Sequence, residues 1–518
     1  MQPWCSVMTR GSVIAGAVLL SQIGLNGQVA PTITWQNCYG GSADEVGHRL
    51  VRTSDHGFVV AGFTTSVDGD VSGQHGDHDT WAFKTDSTGA LIWQRTVGGV
   101  SWDNAHGLAQ ALDGGFFLAG MMTPYPILYS QVSAVKLDGL GNVVWSVDLG
   151  GSSNETARDV AATSDGGCIV AGSAASNDGD VSGNHGLSDA WVVKLDNAGA
   201  MQWQRCFGGS GHDDGWAIIN TTDGGYLLAG STWSLDGDIT VNLGSGDVWL
   251  VKIDVAGNIQ WQKTLGGTWS ESPRDLLATS DGGYLFAAET RSSDGDVLGQ
   301  HGDQDMWIVK LDANGDIQWQ NCLGGTGLDI PLDIDQLADG GFILTGNSRS
   351  TDGDVSGNHG IMDAWVARLS DQGTLLWQKA MGGTDFDGGD AVEVMSNGRS
   401  MIVGHTQSAD GDVQNFIGVR DVWMIELGEE DLATGVPSGS DLPDPIAIPN
   451  PTNGLVHVTE QIGPLVHYSV FNLLGAVVRS GRLETPDRTI DLSALPPGPY
   501  LIDGTTGQGS FQVRVIKE

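Results

Sequence analysis

W-Q-R-C-F-G-G, Trp203–Gly209, is one of seven closely similar stretches in this chain, and their spacing decides the fold. The other six begin at Trp35, Trp93, Trp145, Trp261, Trp319 and Trp377, the third copy in chain order reading W-S-V-D-L-G-G. Successive spacings are 58, 52, 58, 58, 58 and 58 residues. A fixed period of this length means one supersecondary unit copied in tandem.

Outward from Trp203 the unit reads as strands. Trp216–Thr221 (WAIINT) is short and mostly apolar, T-D-G-G is a turn, and Tyr226–Ser231 returns from it. A long acidic loop follows, then Val248–Ile253, a turn at Asp254–Gly257, and Ile259–Leu265. Four short strands with Gly-containing turns and no helical period describe one sheet. Such sheets repeated around an axis make a β-propeller. The last copy offers only three strands, near 388–395, 399–405 and 422–427, while Thr32–Tyr39 is a fourth strand at the other end. The sequence therefore predicts an all-β chain with seven blades over residues 31–428, closed by an N-terminal strand.

Trp81, Trp191, Trp249, Trp307, Trp365 and Trp423 form a second series, one per blade except the second. Both series read as packing between sheets. Asp189–Trp203, D-A-W-V-V-K-L-D-N-A-G-A-M-Q-W, resembles the repeats of seven-bladed propellers found in bacterial surface proteins. The resemblance covers about 400 residues. It implies the fold and not an activity, because propellers host many functions.

A formal net charge of -39 over 518 residues excludes a nucleic-acid partner and an anionic membrane surface. Residues 1–27 read as a secretory signal: Arg10, then an apolar stretch opening G-S-V-I-A-G-A-V-L-L, with cleavage between Gly27 and Ala30. No other stretch is apolar enough to be a transmembrane segment. Cys38, Cys168, Cys206 and Cys322 are expected to be free core thiols, since equivalent repeat positions lie far apart.

Six blades carry D-G-D between the second and third strands. Asp178–Asp189, D-G-D-V-S-G-N-H-G-L-S-D, resembles an EF-hand loop, with oxygen side chains at positions 1, 3, 5 and 12 and Gly at 6. The candidate calcium ligands are Asp68, Asp70 and Asp79; Asp178, Asp180 and Asp189; Asp236, Asp238 and Asp247; Asp294, Asp296 and Asp305; Asp352, Asp354 and Asp363; Asp410, Asp412 and Asp421. The competing reading is metal-free, with Asp-Gly turns whose carboxylates cap backbone N–H groups. His75, His185, His301 and His359 are expected to act as hydrogen-bonding spacers. A stricter acidic series, Glu45, Asp103, Glu155, Asp213, Glu271, Asp329 and Asp387, follows each G-G by four residues and reads as scaffolding.

Local function belongs where copies differ. The second blade replaces its acidic loop with Met121–Gln131, which brings Tyr125 and Tyr129. Trp102, Trp216, Trp233 and Trp269 belong to neither series. Trp102, Trp233, Trp269, Tyr125 and Tyr129 are the candidate binding residues for a glycan or protein ligand. No G-x-S-x-G, H-E-x-x-H or P-loop motif is present.

Residues 429–445 read as a linker. Beyond it, Pro449–Gly454 (PNPTNG), Val470–Gly475 (VFNLLG) and Ile490–Leu495 (IDLSAL), followed by Gly498, Tyr500 and Leu501, resemble the type A C-terminal sorting domain of the type IX secretion system of Bacteroidota. Asn472 stands where Asp is usual, and Ile448 where an aromatic is usual. The resemblance, over residues 446–518, implies a small β-sandwich that engages the type IX secretion machinery after Sec export. It places the protein on the outer-membrane surface or in the medium. The leading expectation is a non-enzymatic binding module. The competing classes are an extracellular polysaccharide hydrolase or lyase acting on the acidic face, and a purely structural surface protein.

Overall fold

The computed structural model describes residues 29–126, 129–429, 447–448, 455–458, 465–471, 477–481, 489–506 and 509–517. The proposed signal, the P-N-P motif and nearly all of the proposed linker lie outside them. Two compact units result: Val29–Asp431, and the C-terminal strands.

The first unit is a closed ring of seven four-stranded antiparallel sheets. Blades 1 to 6 begin at Glu45, Asp103, Glu155, Asp213, Glu271 and Asp329. Blade 7 combines Asp387–Val394, Ser400–Thr406 and Asp421–Leu427 with the N-terminal strand Ile33–Tyr39. That strand pairs antiparallel with Asp421–Leu427, Cys38 opposite Trp423 and Gln36 opposite Ile425. The expected closure is thus observed. The innermost strands touch in an unbroken cycle, the seventh meeting the first.

Seven buried clusters, each drawn from two neighbouring blades, hold the ring together. The Trp81 series sits in them, fully buried. Each of these indoles donates to a Gln on the adjoining outer strand, as in Trp307 Nε1 to Gln320 Oε1 at 2.9 Å and Trp423 Nε1 to Gln36 Oε1 at 2.9 Å. A buried indole retains its hydrogen bond in this way while its ring fills the core. Six of the opening tryptophans, Trp35 to Trp319, are only partly buried and lie over a turn of the next blade, whereas Trp377 is buried. A Cβ on Gly89, at φ +84°, would fall 2.0 Å from the Trp35 ring, so only Gly fits there.

Opposite the acidic loops, a buried Lys in the third strand reaches the Asp of the first hairpin turn. Lys194–Asp165 at 2.9 Å and Lys310–Asp281 at 2.9 Å are examples. Blade 7 reverses the charges and keeps the pair, as Arg399–Glu426 at 2.5 Å. Cys38, Cys168, Cys206 and Cys322 are buried and free, and burial pushes their thiols up to about 12.

The second unit has a three-stranded sheet, Ala447–Ile448, Leu455–Val458 and Thr489–Asp491. Its four-stranded sheet comprises Leu465–Phe471, Val477–Gly481, Gly498–Thr506 and Gly509–Lys517. Val456, Val470, Ile490, Tyr500, Ile502 and Val515 contribute to one cluster that draws on both sheets. No helix among the described residues is long and apolar enough to cross a membrane.

Candidate functional site

The links between blades and the acidic loops lie at the same ends of the strands and form one face. Each loop is tied to its neighbours through its carboxylates. Asp68 Oδ1 accepts from Ser42 N at 2.8 Å and Asp70 Oδ2 from Gly40 N at 3.2 Å, both turning back to the preceding link. Asp79 Oδ2 instead accepts from His75 N at 2.7 Å and faces His75 Nδ1 at 2.9 Å. The same three bonds recur around Asp178, Asp180 and Asp189. Positions 1, 3 and 12 therefore serve different backbone groups, unlike an EF-hand, whose oxygens converge. The glycine of D-G-D is required: a Cβ on Gly69 would fall 2.3 Å from the Gly40 carbonyl oxygen. Among the described residues, no three His, Cys, Asp or Glu side chains gather as a metal cage. Oδ1 of Asp79, Asp189, Asp247, Asp305 and Asp363 is nevertheless buried without a hydrogen-bond partner.

The stricter acidic series is buried scaffold. Asp213 accepts from Gly209 N at 2.8 Å, Thr232 Oγ1 at 2.5 Å and Ser234 Oγ at 2.6 Å. Burial, and then a neighbouring carboxylate of this series, pushes Asp247 and Asp421 up to about 6.

The five aromatic candidates are all exposed. Trp102 stacks on His78, ring centroids 4.0 Å apart, and its Nε1 donates to Asp77 at 3.1 Å. It belongs to the junction of blades 1 and 2. Trp233 and Trp269 belong to the junction of blades 4 and 5, where Trp233 covers Gly246 and Gly246 bridges to Ser270. The structure brings Trp233 and Trp269 to one junction and leaves Trp102 at another. Tyr125 and Tyr129 sit on the short second-blade loop.

Sequence reading missed the axis of the ring. Every innermost strand carries a β-bulge, and the extra residue is its fourth: His48, His106, Arg158, Trp216, Arg274, Leu332 and Asp390. A bulge re-aims a side chain out of the ladder. Here six of the seven meet the bulged residue of a neighbouring blade. His48 and His106 lie 5.2 Å apart between ring centroids. Asp390 meets His405 Nδ1 at 2.9 Å and His48 Nδ1 at 3.5 Å. Burial raises the Asp390 carboxyl, but His405 and His48 outweigh it and hold it well below the usual carboxylate range.

Arg158 and Arg274 stand 4.7 Å and 4.5 Å from the Trp216 ring centroid. One residue further along, Arg49 of blade 1 spans past blade 7 to Asp333 at 3.6 Å and the Leu332 carbonyl at 3.4 Å. The signal was available as variation: the preceding position is always Gly, Ala or Pro, and this one ranges over His, Arg, Trp, Leu and Asp.

Residues 447–518 match the family described as the secretion system C-terminal sorting domain. The Caulobacter vibrioides regulatory protein FlaEY is 25% identical over 216 residues, which are 37% of this chain and 22% of that protein. The chain thus spans under a quarter of that relative's length. Solved structures similar to it include the WD40 domain of Neurospora crassa Pan2, at 10% identity and TM-score 0.41, covering 73% of this chain and 88% of that one. The propeller domain of the Trilobed protease from Pyrococcus furiosus has 8% identity and TM-score 0.38, covering 78% of this chain and 100% of that one. Ring topology and sorting domain together identify the chain as a seven-bladed β-propeller protein exported by the type IX secretion system.

Proposed function

We propose that the exported propeller is a binding module whose loop face holds a protein partner at the cell surface. One observation carries this reading. Exposed large apolar side chains concentrate on the loop face, among them Val67, Trp102, Leu187, Leu235, Trp269 and Leu298. Apolar side chains gathered on one exposed face among polar groups support an interaction surface. The aliphatic share favours a protein over a glycan, whose sites rely on aromatic platforms with convergent polar groups. The acid around these residues favours a partner with basic side chains.

The test is pull-down of surface-exposed proteins by the mature chain, compared with a Trp102→Ala/Trp269→Ala double variant. Loss of a specific partner in the variant, at unchanged melting temperature, supports the reading. Equal capture by both, or capture of polysaccharide alone, overturns it.

Calcium is a second-rank proposal for the same face. The unpartnered buried oxygens of five loop aspartates favour a hard cation there. Calcium should raise the melting temperature and chelator lower it; an unmoved melt in both removes the proposal.

A further inference from the structure

The geometry points to a binding site on the propeller axis for a monocarboxylate sugar acid, built from Arg158, Trp216 and Arg274. In chain order the three are the bulged residues of blades 3, 4 and 5, so Trp216 stands between the two arginines. Its Nε1 donates to buried Ser231 Oγ at 3.1 Å, which fixes the ring. Each guanidinium then lies against that ring, the arrangement a cation takes over an indole.

The two arginines are not equally satisfied. Arg274 pairs with Glu289 at 3.0 Å. No described residue hydrogen-bonds the Arg158 guanidinium, which lies against the indole. Burial, and next the like charge of Arg274, lower its pKa; Asp214 only partly opposes them. A half-buried guanidinium with unused donors, held beside a second cation, is costly unless an anion arrives. A carboxylate suits it, because a planar fork takes two oxygens at once.

The surroundings narrow the class further. Asp214 lies within electrostatic reach of Arg158. A carboxylate at that place disfavours dianions such as sulfate or phosphate. It suits a single negative charge on a hydroxyl-rich body. The site lies on the axis rather than among the loop aromatics, so its failure leaves the loop-face reading standing.

Titration calorimetry of the mature chain with D-glucuronate, glucose and inorganic sulfate tests the proposal. Glucuronate is expected to bind with millimolar or tighter affinity, and glucose and sulfate at least about tenfold more weakly. Arg158→Gln should weaken glucuronate by about tenfold or more, the value of one charge-assisted contact. Its ligand-free melting temperature should equal or exceed that of the parent, because a repulsion has been removed. Should the Gln variant fail to fold, Arg158→Lys keeps the charge and is expected to lose affinity several-fold. No glucuronate binding at about 10 mM, beyond any specific range, overturns the proposal. So does equal affinity for sulfate, or unchanged affinity in both variants.

Discussion

The rim of the ring and its axis are built from the same sheets and obey opposite rules. At the rim, one set of contacts recurs: a buried indole on a Gln in six blades, a Lys on a turn Asp in blades 1 to 5, and a carboxylate on a Gly-Gly link in all seven. Along the axis the bulged residue is His, His, Arg, Trp, Arg, Leu and Asp in turn. The rim must satisfy identical junctions, so one solution recurs. The axis faces no junction, and its composition is free to follow a ligand. Repetition in this molecule marks what holds it together, and departure from repetition marks where to look for recognition.

The contrast can be broken most directly at the rim. Trp307→Ala removes a fully buried indole and its hydrogen bond to Gln320, and should cost about 3–5 kcal/mol in denaturant unfolding. Next comes Asp329→Ala. That carboxylate accepts from Gly325 N at 2.8 Å, Ser348 Oγ at 2.5 Å and Ser350 Oγ at 2.7 Å. Its loss should cost about 2–3 kcal/mol, since charged hydrogen bonds are lost and buried donors orphaned. A loss under 1 kcal/mol, small for such a network, would show that the carboxylates do not carry the scaffold.

Smaller is the response to acid. Asp103, Asp247, Asp305 and Asp421 are raised to about 6, burial being the leading cause for each. A carboxyl whose folded pKa exceeds its unfolded value near 4 favours the folded state when protonated. That stability is fully present below pH 4 and lost as pH rises through 6. The melting temperature should therefore climb as pH falls from 7 to 5 at constant ionic strength. The turn aspartates Asp55, Asp165, Asp223 and Asp281 oppose this only at lower pH, because lysine and threonine partners hold them near 2. A melt that falls steadily from pH 7 to 5 would assign the buried carboxylates a different environment. The smallest effect belongs to the loop face, where Trp102→Ala should change stability by under about 0.5 kcal/mol.

The fold was legible because its determinants repeat. D-A-W-V-V-K-L, the G-G links and the missing fourth strand of the last copy together specified blades, closure and the partner of Thr32–Tyr39. The axis was not legible for a physical reason. The blade 4 innermost strand runs Asp213–Asn220, whereas its sequence reads as a strand only from Trp216. Asp213 and Gly215 look like link residues, and a bulge interrupts the alternation on which strand reading depends. Trp216 was therefore seen as odd without being seen as axial. The D-G-D loops show a different limit of spacing. Their spacing matches an EF-hand, but strands in place of helices turn positions 1 and 3 toward the link behind them.

The strand Ile33–Tyr39 has a kinetic consequence. Gln36 and its partner Trp423 are 387 residues apart in the chain. The segment that completes blade 7 is synthesised first and consumed last. Until blade 7 arrives, it has no partner, and Asp421–Leu427 then presents an unpaired edge of the kind that invites foreign strands. Contacts of such sequence separation form slowly, after the entropy of closing the whole ring has been overcome. Ring closure is thus a late, all-or-nothing event, and a chain halted before it would emerge adhesive rather than merely unfinished.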